Sequence, residues 1–530
     1  MLPLPALIPT HAFLTRDRAG ALKLRLHSAL SLVSVLTGLA HAQPHWPQFR
    51  GPNGQGVSPD AHPPITFSTS TNLLWRTVVE PGHSSPVIWG NRIFLTSYRT
   101  GELSVVAFAR DTGNRNWSWK VSAGPVGDVH AASSPAAPSV AADATRAYAY
   151  FGSWGLVALD HEGHEVWRRP LTPPRNRYGM ATSPILHGGN VILVLDADDT
   201  QSRIVAFRQE NGVIAWETER PGQRATWSTP ALWTAPAQSG GSEALIVLSA
   251  QRLSAYQPSD GRELWTLDGF PQETVSVPAI GSDLVFAGAA ALGGRGDERY
   301  DAMGWKQLLQ FDANADGLVS TNEIPDDFRM VLRPDLPRDH SGYAVPFPFK
   351  RDFRNRDLNR DGQLDEREWE QSVKNWEASS RPVLMAVRPG PGPTNALERV
   401  QWKVSRGLPE MPSFLLLRDR VFYVRDGGLL SCVDASTGRQ LYQERVGAAG
   451  QYCASPIAAD QRLYLASVPG IVTVVDASTD ELRVLARNEI GEAIHATPAL
   501  AGSALYVRTA QHLMAFGVNE SKGEPSSTVR

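Results

Sequence analysis

The sequence predicts an all-β fold: a closed β-propeller of eight four-stranded blades, interrupted once by an inserted α-helical module. Three observations lead there. A small polar residue with Pro, followed by an apolar strand, recurs eight times at a spacing in the forties, the period of a blade array. A Gly followed four residues later by an aromatic accompanies most of these copies. The two ends of the chain each carry part of a repeat that the other lacks.

The phrase reads SSP at Pro86 and Pro135, TSP at Pro184, STP at Pro230 and SVP at Pro278. It continues as MPS around Pro412, ASP at Pro456 and ATP at Pro498. The intervals between these prolines are 49, 49, 46, 48, 134, 44 and 42 residues, so one blade carries an insertion of about 88 residues. The second landmark falls at Gly113–Trp117, Gly163–Trp167, Gly212–Trp216, Gly261–Trp265 and Gly438–Tyr442. An Asp or Asn before the Gly caps a turn, and the Gly supplies the positive φ that such turns need. Alternating strands before the turn and a Trp-bearing strand after it describe an all-β repeat. One Trp at an equivalent site per blade (Trp75, Trp117, Trp167, Trp216, Trp265, Trp402) is expected to pack between neighbouring sheets. The last repeat, ending at Leu513-Met-Ala-Phe, has no Trp strand, whereas Leu73–Val79 is a Trp strand with no blade. Joining them closes the ring and removes the exposed edges that invite aggregation.

The expected organisation is a signal peptide at 1–42, an N-terminal segment at 43–70 and the first part of the propeller at 71–292. The insertion at 293–380, the second part of the propeller at 381–517 and a disordered tail at 518–530 complete it. Residues 23–42 join a basic start, an apolar run and Ala40-His41-Ala42, the pattern of a cleaved secretory leader, and the run is too short to span a bilayer. Export to the periplasm or beyond follows. The net charge is −3, and the leader holds four basic residues against Asp17, so the remainder carries about −6. That balance argues against nucleic acid as a partner. Of the two cysteines, Cys432 and Cys453, export permits pairing, and two buried thiols are the favoured reading.

The insertion breaks the β pattern. Trp305, Leu308 and Leu309 have helical spacing. Then come Asp312, Asn314, Asp316, Leu318, Ser320 and Glu323, at positions 1, 3, 5, 7, 9 and 12 of an EF-hand loop, with Gly317 at position 6. Calcium is hard and takes six to eight oxygens. Carboxylates and an amide supply positions 1, 3 and 5, a carbonyl serves at Leu318, and Glu323 can offer both oxygens. A second loop repeats the pattern with Asp357, Asn359, Asp361, Gln363, Asp365 and Glu368 around Gly362. Val319 and Leu364, at position 8 of each, are expected to pair. Trp369, Val373 and Trp376 then line one helical face. Pro325 leaves little room for a helix after the first loop, and the linker to the second is rich in Pro, so the pair is expected to be structural rather than sensory, pinning the insertion against the propeller.

The D-x-x-T-G-x-x-x-W turn resembles the repeat of PQQ-like β-propellers, which include quinoprotein alcohol dehydrogenases and the outer-membrane assembly lipoprotein BamB. The stretch WPQFRGPNGQG (Trp46–Gly56) is similar to the opening of an exported PQQ-binding-like propeller family. The resemblance covers about residues 46–517. It implies the fold strongly and a function weakly, since scaffolds host many activities. The adjacent cysteines of catalytic quinoproteins are absent, because Cys432 and Cys453 are not neighbours, and no Cys-x-x-Cys-His haem site occurs. Residues just before each inner strand should ring one mouth of the channel. His83, His130, Met180, Trp227, Tyr452 and His495 are the candidates there, as ligand-binding groups or as polar plugs.

The reading that results is an exported calcium-binding propeller acting as a scaffold for a small-molecule or protein partner, without catalysis. Two calcium ions are its expected cofactors. A PQQ-dependent dehydrogenase of reduced form, with PQQ bound, and a BamB-like outer-membrane assembly factor are the alternatives.

Overall fold

The computed structural model describes residues 45–530 except 125, 127–132, 177, 199–200, 237–240, 291–303, 331–346, 380, 391–396 and 519–530. The chain divides into two units at the junction of Ala42 and Gln43. The expected signal peptide and, beyond Val518, the expected disordered tail lie outside the described residues, as does His130.

Among the described residues eight blades of four antiparallel strands make up the propeller, one of them extended by a fifth, parallel strand. Blade 1 is Val87–Trp89, Arg92–Arg99, Glu102–Ala109 and Arg115–Ser122. The inner strands of blades 2, 3 and 4 begin at Ala141, Ile185 and Ala231, and those of blades 6 and 7 at Leu415 and Ile457. Blade 5 pairs Ala279–Ile280 and Val285–Ala289 with Val383–Val387 and Val400–Val404, so the insertion sits in the hairpin between its second and third strands. Blade 8 pairs Ala499–Ala501, Ala504–Arg508 and His512–Gly517 with the N-terminal strand Leu73–Val78. The two incomplete ends therefore complete one blade.

The middle strands are buried on both faces, as in Arg146–Phe151 and Gly155–Asp160, because neighbouring blades cover each sheet. Outer strands alternate instead, as Leu73–Val78 does. In all eight blades the register shifts once near the Trp site, where the third strand meets the fourth. A bulge there re-aims the side chain and leaves one residue unpaired. It turns the Trp toward the next blade, and Leu74 and Val166, skipped in the pairing, are exposed.

Five of the six Trp side chains lie on the turn glycine of the following blade, whereas Trp265 has the Arg399 guanidinium over its ring. A Cβ on Gly113, Gly163, Gly212, Gly261 or Gly438 would come within 2.4–2.6 Å of Trp75, Trp117, Trp167, Trp216 or Trp402 respectively. Each indole N–H donates to a carbonyl in the same turn, from Trp117 to His161 O at 2.8 Å and from Trp216 to Pro258 O at 3.1 Å, for example. The Gly and the aromatic that recur together in sequence thus belong to two different contacts around the ring.

The phrase used to count blades needs a correction at two copies. The residue two before each inner strand is Ser85, Ser139, Ser183, Thr229, Val277, Ser413, Ser455 and Thr497 in blade order. In blade 2 the equivalent of Ser85 is therefore Ser139, not the Ser before Pro135. In blade 6 it is Ser413, which follows its Pro. The hydroxyl rather than the proline defines the repeat, because the hydroxyl joins adjacent blades.

The N-terminal segment closes one end of the channel. Trp46 and Ile88 exchange two backbone hydrogen bonds of 2.8 Å, and Ala142 N–H donates to Pro47 O. Asn53 binds both backbone groups of Leu232, at 2.7 and 2.9 Å. Gln55 accepts from Ile280 N–H, and Arg50 donates to Phe414 O at 2.9 Å. Val57–Ser58 adds a parallel strand to Ile457–Ala459, and His62 N–H donates to Gly502 O. Seven blades are thereby tied through the free edges of their inner strands, satisfying backbone groups that would otherwise stay unpaired.

Candidate functional site

Two places concentrate chemistry, the paired loops of the insertion and the open mouth of the channel. The insertion builds its own core from Trp305, Leu308, Val319, Ile324, Phe349, Phe353, Leu364 and Trp369. Its helices are Trp305–Leu308, Phe349–Arg356 and Glu366–Ser379. No helix follows the first loop among the described residues. Pro325 falls there, and a short strand, Arg329–Met330, pairs with Phe347–Pro348 instead.

The loops are alike atom by atom. In the first, Gly317 N–H donates to Asp312 Oδ2 at 2.9 Å, Leu318 N–H to Asp316 Oδ1 at 2.8 Å, and Asn314 Nδ2 to Asp316 Oδ2 at 2.9 Å. In the second, Gly362 donates to Asp357 at 3.0 Å, Gln363 to Asp361 at 2.9 Å, and Asn359 to Asp361 at 2.9 Å. Ala315 and Arg360, at position 4, both take left-handed φ, 60° and 64°. Val319 pairs with Leu364 and Ser320 with Gln363, joining the loops back to back. The oxygens of Asp357, Asp361 and Glu368 lie within 4.8 Å of one another. Among the described residues, that is the only group of three acidic, His or Cys donors drawn together so closely.

The twelfth position of the two loops differs in detail. Glu323 accepts from Ser320 N–H at 2.8 Å and from Ser320 Oγ at 2.9 Å, bonds that hold its carboxyl below its usual pKa. Glu368 is buried and accepts from Leu358 and Asn359 N–H, both at 3.0 Å. Asp365 caps the helix Glu366–Ser379 through Glu368 N–H at 2.6 Å.

At the channel, hydrogen bonds tie one blade to the next. Ser85 N–H donates to Ser139 Oγ, Ser139 N–H to Ser183 Oγ, and Ser183 N–H to Thr229 Oγ1, at 2.9–3.0 Å. Val277, Ser413 and Ser455 N–H continue the series to Ser413, Ser455 and Thr497. Two residues above this ring lies a rim: His83, Ala137, Ala181 and Trp227 on one half, Val275, Met411, Cys453 and His495 on the other. The rim, the hydroxyls and Phe49 of the N-terminal segment bound a cavity of about 130 Å³.

His83, Trp227 and His495 therefore stand where the sequence placed them. Met180 and Tyr452 do not. They precede the ring hydroxyl by three residues rather than two, so the alternation of extended backbone turns them away from the channel. Met180 packs over Gly152 in the core shared by blades 2 and 3. Tyr452 is buried, with its hydroxyl donating to Ala448 O at 2.8 Å. Ala181 and Cys453 take those rim positions instead, Met411 takes the one in blade 6, and counting back two from the ring hydroxyl identifies all three from sequence alone.

The rim is electrostatically unusual. The His83 and His495 rings stack 4.6 Å apart at 6°. Burial pushes His83 down to about 3, helped by His495 and the Arg508 guanidinium, and burial lowers His495 too. Both are neutral at pH 7. Burial also raises the Cys453 thiol, and both cysteines are unpaired. Arg508 is buried with no carboxylate beside it. It donates to Ser84 Oγ at 2.6 Å, Thr96 O at 2.9 Å and Glu80 O at 3.0 Å, clasping blade 8 to blade 1, and burial lowers it to about 9.

The family model described as outer membrane protein assembly factor BamB matches residues 65–191, 177–292 and 396–524, on either side of the insertion. A curated relative, outer membrane protein assembly factor BamB of Burkholderia pseudomallei (strain K96243), is 27% identical over 214 residues, 39% of this chain. The chain spans 50% of that relative's length. The structure of BamB from Moraxella catarrhalis aligns with a TM-score of 0.48 at 11% identity, over 84% of this chain and 100% of that one. The computationally designed Ika8 protein aligns with a TM-score of 0.50 at 9% identity, over 84% and 99%, a likeness of fold alone. No helix among the described residues is long and apolar enough to cross a membrane.

Proposed function

The chain belongs to the family described as outer membrane protein assembly factor BamB, and on that premise we propose that it is an exported scaffold whose inserted EF-hand pair binds calcium. The observation that carries this reading is the identity of the two loops in hydrogen bonding and backbone sign, with Asp357, Asp361 and Glu368 already drawn together. Asp312, Asn314, Asp316, Ser320 and Glu323 would hold one ion, and Asp357, Asn359, Asp361, Asp365 and Glu368 the other, with carbonyls from Leu318 and Gln363. These are all oxygen donors, the set a hard cation takes. Calcium, when bound, neutralises carboxylates that otherwise repel one another across each loop. The leader at residues 1–42 supports export, and exported modules of this kind bind calcium at about 10⁻⁴–10⁻³ M.

The propeller supplies a partner-binding surface rather than a reaction centre. Pockets that enclose cofactor-sized molecules measure about 300–1,000 Å³, and the channel cavity holds about 130 Å³ above the Phe49 floor. That disfavours the quinone-dependent dehydrogenase. A BamB-like assembly role is the second reading, supported by the likeness to the Burkholderia pseudomallei assembly factor, half of whose length the chain spans.

The test uses metal-stripped protein spanning residues 43–530. Calorimetry should show about two calcium ions, and titrated PQQ should neither bind nor reduce a dye over an alcohol and sugar panel. Saturable PQQ binding with turnover would replace the scaffold by an enzyme. Absence of calcium uptake would remove the EF-hand reading.

A further inference from the structure

The channel rim carries a donor set unlike that of the calcium loops. In blade order, Met411, Cys453, His495 and His83 occupy four successive rim positions, in blades 6, 7, 8 and 1. The remaining four positions offer no ligating atom. Hydrogen bonds two residues below set the level of these groups, since Ser413 N–H donates to Ser455 Oγ and Ser455 N–H to Thr497 Oγ1, both at 3.0 Å. The stack of His495 on His83 at 4.6 Å carries the level across the closing blade. All four side chains line one small cavity, and among the described residues its lining includes no Asp or Glu.

Donor chemistry selects the guest. Thiolate and thioether are soft ligands that favour copper(I), and imidazole suits copper as well. The described lining offers hydroxyls but no carboxylate, and hard cations such as calcium and magnesium are held chiefly by carboxylates. The cavity, at about 130 Å³, exceeds the roughly 30 Å³ share of a water molecule but not by enough for an organic cofactor. We propose that Met411, Cys453, His495 and His83 form a copper(I) site at the open mouth of the channel. The donors are not gathered within 4.8 Å of one another, as Asp357, Asp361 and Glu368 are. Binding closes them by side-chain rotation into the cavity, while the ring of hydroxyls holds the backbone still. The site is independent of the calcium reading, because the insertion loops offer only oxygen.

The test is a competition titration with bicinchoninate, under argon and ascorbate, on protein spanning residues 43–530 with calcium present. One equivalent of copper(I) should leave the chelator. Cys453→Ser and His495→Gln should each weaken binding by at least about 100-fold, the upper end of what losing even an outer-shell partner costs. Met411→Leu should weaken it less, and Cys432→Ser, buried in the core of blades 6 and 7, should leave it unchanged. Glu323→Gln with Glu368→Gln should also leave it unchanged, which separates this site from the loops. Loss of binding in Cys432→Ser equal to that in Cys453→Ser would overturn the site. So would retention in Cys453→Ser, or Cys453-dependent uptake of zinc without copper(I). Met411→Leu is nearly isosteric, so the thioether contribution remains readable if a cysteine or histidine variant fails to fold.

Discussion

Replacing Gly261 with Ala tests how the blades are joined. The new Cβ would lie 2.4 Å from Trp216 Cε3 and 2.5 Å from Thr218 Oγ1, on backbone with φ +74°. The backbone alone costs about 1–2 kcal/mol for a residue with a Cβ. The larger part comes from Trp216, which is 8% exposed and held by Pro258 O at 3.1 Å. It must move by about an ångström, losing packing and that hydrogen bond, for a total of about 3–5 kcal/mol, like deletion of the ring itself. Gly222→Ala is the control. Its φ is +79° with nothing within 4 Å, so only the backbone part, about 1 kcal/mol, should appear.

The decisive quantity is the double-mutant cycle. With Trp216→Ala in place only the Thr218 hydroxyl still meets the new Cβ, and a single side-chain rotation relieves it, so adding Gly261→Ala should cost little more than the backbone part. The two single losses together should exceed the double by about 2 kcal/mol, within the range for residues in direct contact. The assay is urea unfolding of the calcium-saturated protein, read as midpoints at constant slope. If the two changes add, Trp216 does not bear on Gly261, and the account of blade packing fails.

Three further outcomes follow from the site and the seal. His83 and His495 have folded pKa values below their unfolded value of about 6.5, so the stability they provide is complete above that pH and is lost as pH falls below it, for His83 down to about 3. With His495 and Arg508 as the groups facing it, His83 alone should cost about 2 kcal/mol on going from pH 8 to pH 5. Urea midpoints should show that loss in the native protein with metals chelated and not in His83→Gln; an equal loss in both would contradict it. Glu323→Gln with Glu368→Gln should abolish measurable calcium binding by calorimetry while the β-sheet circular dichroism and its melt hold, because the insertion has a separate core; unchanged binding would reject the loop assignment. Asn53→Ala should lower stability by about 1–3 kcal/mol, since Leu232 N–H and C=O would lose their partner across the channel floor. A wild-type urea midpoint in that variant would show that the N-terminal segment does not hold the ring.

The fold was legible because its repeat is chemical. A turn Gly is needed wherever the preceding blade's Trp must lie flat, and the pair therefore recurs at the blade period. Ring closure was legible for the same reason, as an orphan Trp strand at residue 75 and an unfinished blade at the other end. The paired acidic loops of the insertion stood out because an EF-hand pattern fixes residue type at set positions over only twelve residues. The channel was harder to read. Proline looked like the landmark, yet Pro is only compatible with the start of an inner strand, and Val140 and Phe414 replace it in blades 2 and 6. The hydroxyl that stands two residues before the inner strand in seven of the eight blades is what the neighbouring blade's N–H bonds to, and a count from proline misplaces blade 2 by five residues.

That difference in cause has consequences for the rim. A one-residue slip in extended backbone reverses the face of a side chain, so Tyr452 and Met180 went to the core and Cys453 and Ala181 to the channel. Registered on the hydroxyls, the rim divides into an inert half and a half bearing two imidazoles, a thiol and a thioether. No packing need explains that division. Ala137, Ala181 and Val275 show that small apolar residues suffice to line the mouth, and the ring of hydroxyls beneath holds the blades whatever stands above it. Met411, Cys453, His495 and His83 stand on adjacent blades, where Ala137, Ala181, Trp227 and Val275 occupy the other rim positions, and the proposed copper(I) site would account for that placement.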